Sequence, residues 1–260
     1  MKKTLVVGVG EVGGALAQVL EASGPVVRLD LEPIEVQGPI GAMHICLPYD
    51  DGERFESAVA GYVQRFQPEL TIINSTVAPG TTRRIAAATG VQVAFSPVRG
   101  KHVRMVADLK RYTKFVAATS RDAALRAQEH FKQAELNTRL MNKVETLELA
   151  KLAETTYFGV LIAFAQELNR YVERIDGDYF EATSFFEEIE FLPRTRYFPG
   201  FVGGHCVIPN ILLLRQAGGS ALLDAVLGSN ERRAVELGLE QPPSSKSGVG
   251  ANGRATAANH

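Results

Sequence analysis

The sequence predicts an α/β protein in which a doubly wound parallel sheet is followed by an all-helical domain. Up to about residue 137, short β-rich runs alternate with helical stretches, the pattern that builds a parallel sheet covered on both faces. A glycine-rich turn, Gly8-Val9-Gly10-Glu11-Val12-Gly13, joins the first strand-like run to the first helical one. After Asn142 the texture changes to long helical pattern. The strands read as Thr4–Val9, Val26–Asp30, Ala42–Leu47, Leu70–Asn74, Val91–Phe95 and Lys114–Ala118. Glu11–Ser23 reads as a helix because Val12, Leu16, Val19 and Leu20 share one face, with Gly24 as the stop. Glu145–Arg174 contains no Pro and a single Gly, Gly159, which predicts one helix about 45 Å long. A loop rich in Gly, Pro and aromatics spans Leu192–Asn210, and helical pattern resumes to about Leu239. Gln241–His260 is Pro, Ser, Gly, Ala and Asn with almost no large apolar side chain, and is expected to be a disordered tail. The expected domains are therefore 1–140, 141–240 and a tail, 241–260.

Composition narrows the function classes. The 260 residues carry 28 basic and 29 acidic side chains, a net charge of −1, so binding to nucleic acid through bulk charge is not expected. Two cysteines cannot make a disulfide scaffold, and a cytoplasmic setting leaves both as thiols. The opening Met1-Lys2-Lys3 imitates a signal peptide, but Gly8, Gly10 and Glu11 interrupt the apolar stretch. No uncharged run reaches the roughly 18 apolar residues of a membrane span, so no membrane partner is expected.

The GxGxxG turn follows a predicted strand and opens a predicted helix, which is the context of a Rossmann dinucleotide site. Gly8 permits the tight turn, Gly10 lets backbone approach a pyrophosphate, and Gly13 allows close packing of helix on strand. Glu11 and Val12 open the helix whose N-terminus would face the phosphates. Asp30 ends the second strand, where a carboxylate bonds ribose hydroxyls and repels a 2′-phosphate, so NAD is expected rather than NADP. Two more loops close predicted strands. One is Cys46-Leu47-Pro48; the other begins at Ser75 and Thr76, and suits either contact with the cofactor or an ordinary helix cap. Cys46, inside an apolar strand, reads as a small core residue.

Cys206 lies after Gly203-Gly204-His205 and before a helical run with Pro209 as an early residue. A helix N-terminus favours the nucleophilic thiolate, although a buried thiol in a Gly-rich turn fits the spacing equally well. Glu148, Lys151 and Thr155 fall at i, i+3 and i+7, hence on one helical face. That face is either a solvated ion pair or a lysine facing a cleft, able to stabilise an oxyanion. His205 is adjacent to Cys206 and is not assigned as its base, because neighbouring residues seldom point the same way. No His, Cys or carboxylate set has metal-ligand spacing, so no metal is expected.

Taken together, GVGEVG, NSTVAPGTT, Ser96–His102 (SPVRGKH), Glu145–Leu168 and Pro199–Pro209 (PGFVGGHCVIP) resemble the UDP-glucose/GDP-mannose dehydrogenase family, in family order over about residues 1–235. The GGHC form is similar to the branch acting on UDP-N-acetylamino sugars. The resemblance implies an NAD-binding Rossmann domain, a helical central domain carried by a long dimerising helix, and a homodimer. It implies a double oxidation of a primary alcohol on a sugar or nucleotide sugar, with Cys206 as nucleophile and Lys151 as the oxyanion-stabilising lysine. Three positions depart from the family pattern: Thr155 stands where Asn is usual, Asn210 where Asp is usual, and Val98 where Glu is usual. Asn210 can orient a water but cannot take its proton. The chain also turns into polar tail where the family's nucleotide-binding domain would begin. Two other readings stay open: a catalytically degenerate NAD-binding homologue with a regulatory or scaffolding role, and a one-step dehydrogenase that uses Lys151 alone. Dimerisation also follows from the long helix itself, whose Leu152, Tyr157, Phe158, Val160, Leu161, Ile162, Phe164 and Leu168 cover more than one face.

Overall fold

The computed structural model describes residues 2–32, 34–100, 102–186, 189–190, 197–204 and 206–239. Seven strands, β1 (Lys3–Val7), β2 (Val26–Leu29), β3 (Ile40–Ile45), β4 (Leu70–Ile73), β5 (Val93–Phe95), β6 (Lys114–Ala118) and β7 (Thr138–Leu140), form one sheet in the order β2-β1-β3-β4-β5-β6-β7. Pairing is parallel except between β5 and β6. The expected α/β sheet is therefore present, with one antiparallel junction and one more strand than the sequence revealed. β6 therefore runs back alongside β5, its last two residues pairing with it, Ala118 with Ala94 and Ala117 with Phe95.

The helices are α1 (Glu11–Leu20), α2 (Gly52–Phe66), α3 (Thr81–Thr89), α4 (Met105–Arg111), α5 (Arg121–Gln133), α6 (Val144–Arg174), α7 (Tyr179–Ser184), α8 (Val207–Ala217) and α9 (Ala221–Glu236). The period-2 alternation of the strands divides the core between the two faces of the sheet. Leu5, Val7 and Ile45 pack with Phe55 and Val59 of α2, Ile85 of α3 and Leu147 of α6. Val6 and Ile72 pack with Leu16 of α1, Leu109 of α4 and Phe131 of α5. The helix expected over Glu11–Ser23 is α-helical to Leu20 and tightens to a 3₁₀ turn over Glu21–Ser23 before Gly24. The long helix runs as expected, from Val144 to Arg174.

By compactness the chain divides into two units. The first comprises residues up to Leu161 and Val202–Leu223, and the second comprises Ile162–Phe201 and the chain from Asp224. In the second, α6 and α9 are joined by a polar network: Ser229 donates to Gln166 at 3.0 Å, and Arg170 pairs with Glu236 at 2.6 Å. Among the described residues no helix is long and apolar enough to cross a membrane, and no group of three His, Cys, Asp or Glu could hold a metal. The expected tail, Gln241–His260, and His205 lie outside the described residues.

Candidate functional site

The strand order reverses at β1, which has β2 on one side and β3 on the other. In open α/β sheets the ligand crevice lies at the carboxyl ends of the strands at such a switch point. Gly8 follows β1 with φ +84°, and a Cβ there would sit 2.8 Å from the Cys46 carbonyl oxygen. A Cβ on Gly13 would sit 1.8 Å from the Gly8 oxygen, so any side chain would drive α1 off the strand. Gly10 has nothing within 4 Å of where its Cβ would be, which leaves the backbone face open to a ligand. Gly10 is also the N-cap of α1 and has no side chain of its own to cap the helix, whose first residues are Glu11 and Val12. The exposed Asp30 carboxylate at the end of β2 accepts from Val9 N at 3.4 Å, which places it over the same turn.

The two loops beyond β3 and β4 are tied together. Ser75 donates its hydroxyl to the Leu47 carbonyl at 2.6 Å, so this buried side chain holds the segment leading to the exposed Pro48. Thr76, the next residue, is half-buried. The turn ends at Gly80, the N-cap of α3, which also has no side-chain cap of its own. Glu148 of α6 supplies one: its carboxylate accepts from Gly80 N at 2.6 Å, Thr82 N at 2.9 Å and Thr82 Oγ1 at 2.6 Å. Glu148 is therefore a buried helix cap from a distant part of the chain and not half of a solvated ion pair. Burial pushes its carboxyl upward, against the three donors that favour the anion.

One turn further along α6, Lys151 pairs with the exposed Glu154 at 3.2 Å, while its own side chain is only 12% exposed. Thr155 donates to the Leu152 carbonyl at 3.1 Å and accepts from Asn210 Nδ2 at 2.9 Å. Asn210, itself buried, is in the first turn region of α8, and its N–H bonds the carbonyl of Cys206 at 3.2 Å. Cys206 is the N-cap of α8 and is exposed, so of the two sequence readings the buried thiol is not what is found. Pro209 lies within the first turn, where its missing N–H has no intrahelical partner to lose. Gly159 explains how α8 comes so close to α6: a Cβ there would meet Ile211 Cδ1 at 2.7 Å and Val207 Cγ1 at 3.0 Å. Val98 packs into the core beside Met105 and Leu109.

Sequence reasoning did not single out a buried polar group inside the sheet. Lys114, 4% exposed at the start of β6, donates to the carbonyls of Ser96 at 2.7 Å and Pro97 at 3.1 Å, with Asn74 Oδ1 at 3.5 Å. Asn74 Nδ2 faces His44 Nδ1 at 3.1 Å, and His44 Nε2 faces His130 Nε2 at 2.9 Å. The signals in the sequence were a lysine at the head of an apolar strand and a histidine inside another, neither of which fits a buried strand without a partner.

The UDP-glucose/GDP-mannose dehydrogenase family, central domain, matches residues 145–232, which span α6 and the Cys206 loop. Over that region the chain is similar to the central domain of the nucleotide-sugar dehydrogenases. A UDP-N-acetyl-D-mannosamine dehydrogenase of Pyrococcus horikoshii is 30% identical over 157 residues, 56% of this chain and 37% of that protein. The match to the curated relatives thus spans about a third of their length. A solved UDP-D-ManNAc dehydrogenase from Pyrococcus horikoshii shares the fold with a TM-score of 0.79 at 23% identity, over 91% of this chain and 70% of that one. A UDP-glucose dehydrogenase structure from Pyrobaculum islandicum gives 0.76 at 25% identity, with the same shares of each chain covered. NAD is the cofactor of this family, and the cradle of Gly8, Gly10 and Gly13 at the N-terminus of α1 fits a dinucleotide.

Proposed function

We propose that the chain is an NAD-dependent oxidoreductase that acts on a CH–OH group of a nucleotide sugar, oxidising a primary alcohol or aldehyde toward the acid. The observation that carries this reading is the Asn210–Thr155 hydrogen bond. It fixes α8, with Cys206 at its N-cap, against α6 one turn beyond Lys151. Segment 1–140 is assigned to cofactor binding, through Gly8, Gly10, Glu11, Val12, Gly13, Asp30, Pro48, Ser75 and Thr76. Segment 141–240 is assigned to the helical central domain.

Bound NAD would supply the hydride acceptor. Cys206 adds through sulfur to the carbon of an aldehyde, and the carbonyl oxygen takes up the negative charge that the Lys151 ammonium stabilises. Oxidation of that thiohemiacetal leaves a thioester on Cys206, and water then releases the acid and restores the thiol. Asn210 orients the water; the proton goes to solvent, because an amide cannot accept it. Thr155 holds Asn210 through its hydroxyl.

A second copy of the chain is the proposed partner. Support comes from α6, where Tyr157 is 57% and Phe164 62% exposed, an unusual load of open aromatic surface for one helix. The UDP-N-acetylamino sugars are the first substrates to test, since the similar P. horikoshii protein is described as a UDP-N-acetyl-D-mannosamine dehydrogenase. Incubation of the purified chain with NAD and a panel of nucleotide sugars, read as NADH formation, is the test. NADH production with at least one supports the proposal. Measured NAD binding with no turnover on the whole panel would support the scaffolding alternative instead.

A further inference from the structure

We propose that Lys114 is a positioning residue for the cofactor loops, holding the ends of β4 and β5 in register from beneath. This rests on the assignment of Ser75 and Thr76 to cofactor binding. Because β6 runs antiparallel to β5, its first residue lies at the carboxyl end of the sheet, the end where ligands bind. From there Lys114 Nζ reaches the carbonyls of Ser96 and Pro97, immediately after β5, and faces Asn74 Oδ1, immediately after β4. Asn74 is the residue before Ser75, and Ser75 in turn holds the Leu47 carbonyl. One ammonium thus joins the segments that follow β4 and β5, and through Ser75 the segment after β3.

The arrangement is costly unless it is used. A buried ammonium in an apolar core is placed against three neutral acceptors and the face of Phe131, at 5.0 Å from the ring centroid, and among the described residues no carboxylate pairs with it. Among the described residues, the charged and titratable groups facing it are His44 on β3 and Cys46 just after it, His130 on α5, Arg99 in the segment after β5, and Lys151 on α6. Burial lowers Lys114 to about 7, with the charges of Arg99 and Lys151 adding to the effect. Burial raises Cys46 to about 12 and lowers His130 to about 4, and His44 is held well below its ordinary range. The Lys114 charge therefore changes around neutral pH. Charged, it offers three protons to three acceptors; neutral, it offers two, and the Asn74 contact, the longest, is the one lost.

The experiment is calorimetric titration of NAD into the full chain between pH 6 and pH 9, for the unaltered protein, Lys114→Arg and Lys114→Met. Losing one charge-assisted bond corresponds to an affinity change of about tenfold. The unaltered protein is expected to bind NAD about tenfold more weakly at the alkaline end, with a midpoint near the Lys114 value, and Lys114→Arg is expected to remove the pH dependence. Lys114→Met is expected to be weak and pH-independent. Firm binding by the unaltered protein that does not vary with pH would overturn the positioning role, as would a pH dependence retained unchanged in Lys114→Arg. No NAD binding by the unaltered protein at any pH would instead overturn the cofactor assignment beneath it. The pH series on the unaltered chain needs no substitution and so does not depend on either variant folding.

Discussion

Replacing Glu148 by Ala removes the side chain that caps α3 from α6 and tests whether the turn from Ser75 to Thr82 is held by that contact. Three donors lose their acceptor: Gly80 N, Thr82 N and Thr82 Oγ1. Thr82 is fully buried and cannot turn to water in place, whereas Gly80 is half-buried and can be partly rehydrated. Two buried donors at about 1–3 kcal/mol each set the loss. Burial of the carboxylate itself, visible in its raised pKa, offsets part of it, leaving about 3 kcal/mol. For a unit of this size each kcal/mol shifts the melting temperature by about 2–4 °C, so a fall of about 6–12 °C is expected by circular dichroism. Glu148→Gln keeps the shape and one acceptor oxygen and should lie between the two. A fall under about 2 °C for Glu148→Ala would show that the cap contributes little and that α6 and α3 are held by packing and the Arg83–Glu145 ion pair instead.

Other substitutions separate packing, chemistry and titration. Gly159→Ala would stabilise an ordinary exposed helix by about 1 kcal/mol, but here the new methyl meets Ile211 and Val207, so thermal denaturation should show a net loss of about 1–3 kcal/mol. Asn210→Asp restores a group able to accept a proton, and steady-state kinetics should show turnover higher by roughly 10² or more. His44 and His130 have folded-state values below the unfolded one. Their contribution is therefore complete above the ordinary histidine value and is lost as the pH falls toward about 4. Stability followed by thermal denaturation should decline between about pH 6.5 and pH 4, by no more than about 3 kcal/mol for His130 because its ring is partly exposed, and His130→Phe should reduce that decline.

The fold was readable where periodicity is strong. The β1–α1 turn declares itself because three glycines, a preceding apolar run and a following amphipathic run coincide, and each glycine proves to meet a different steric need. The long helix was readable from the absence of Pro across Glu145–Arg174. β7 was not, because Thr138-Arg139-Leu140 is short, half-exposed and held by pairing with β6 rather than by its own pattern. Nor was the reversed direction of β6, since strand direction depends on the path of the connection after Ser96. In the site, helical spacing put Glu148, Lys151 and Thr155 on one face, but spacing cannot reveal that Glu148 caps a helix that precedes it by some sixty residues. The Asn210–Thr155 contact joins residues 55 apart, and the Lys114 cluster draws on β3, β4, β6 and α5, so both exist only in the folded chain. Departures from the family pattern were legible as residue identities. Only the structure shows that Thr155 and Asn210 bond each other and that Val98 has become core.

In the proposed mechanism Cys206 carries the second of two oxidations, from aldehyde to acid. This role is tested most directly by the ratio of NADH formed to nucleotide sugar consumed, in the unaltered protein and in Cys206→Ala, with product identified by mass spectrometry. Two NADH and an acid are expected from the unaltered chain, and at most one NADH with an aldehyde from Cys206→Ala. Two NADH and acid from the variant at an undiminished rate would contradict it.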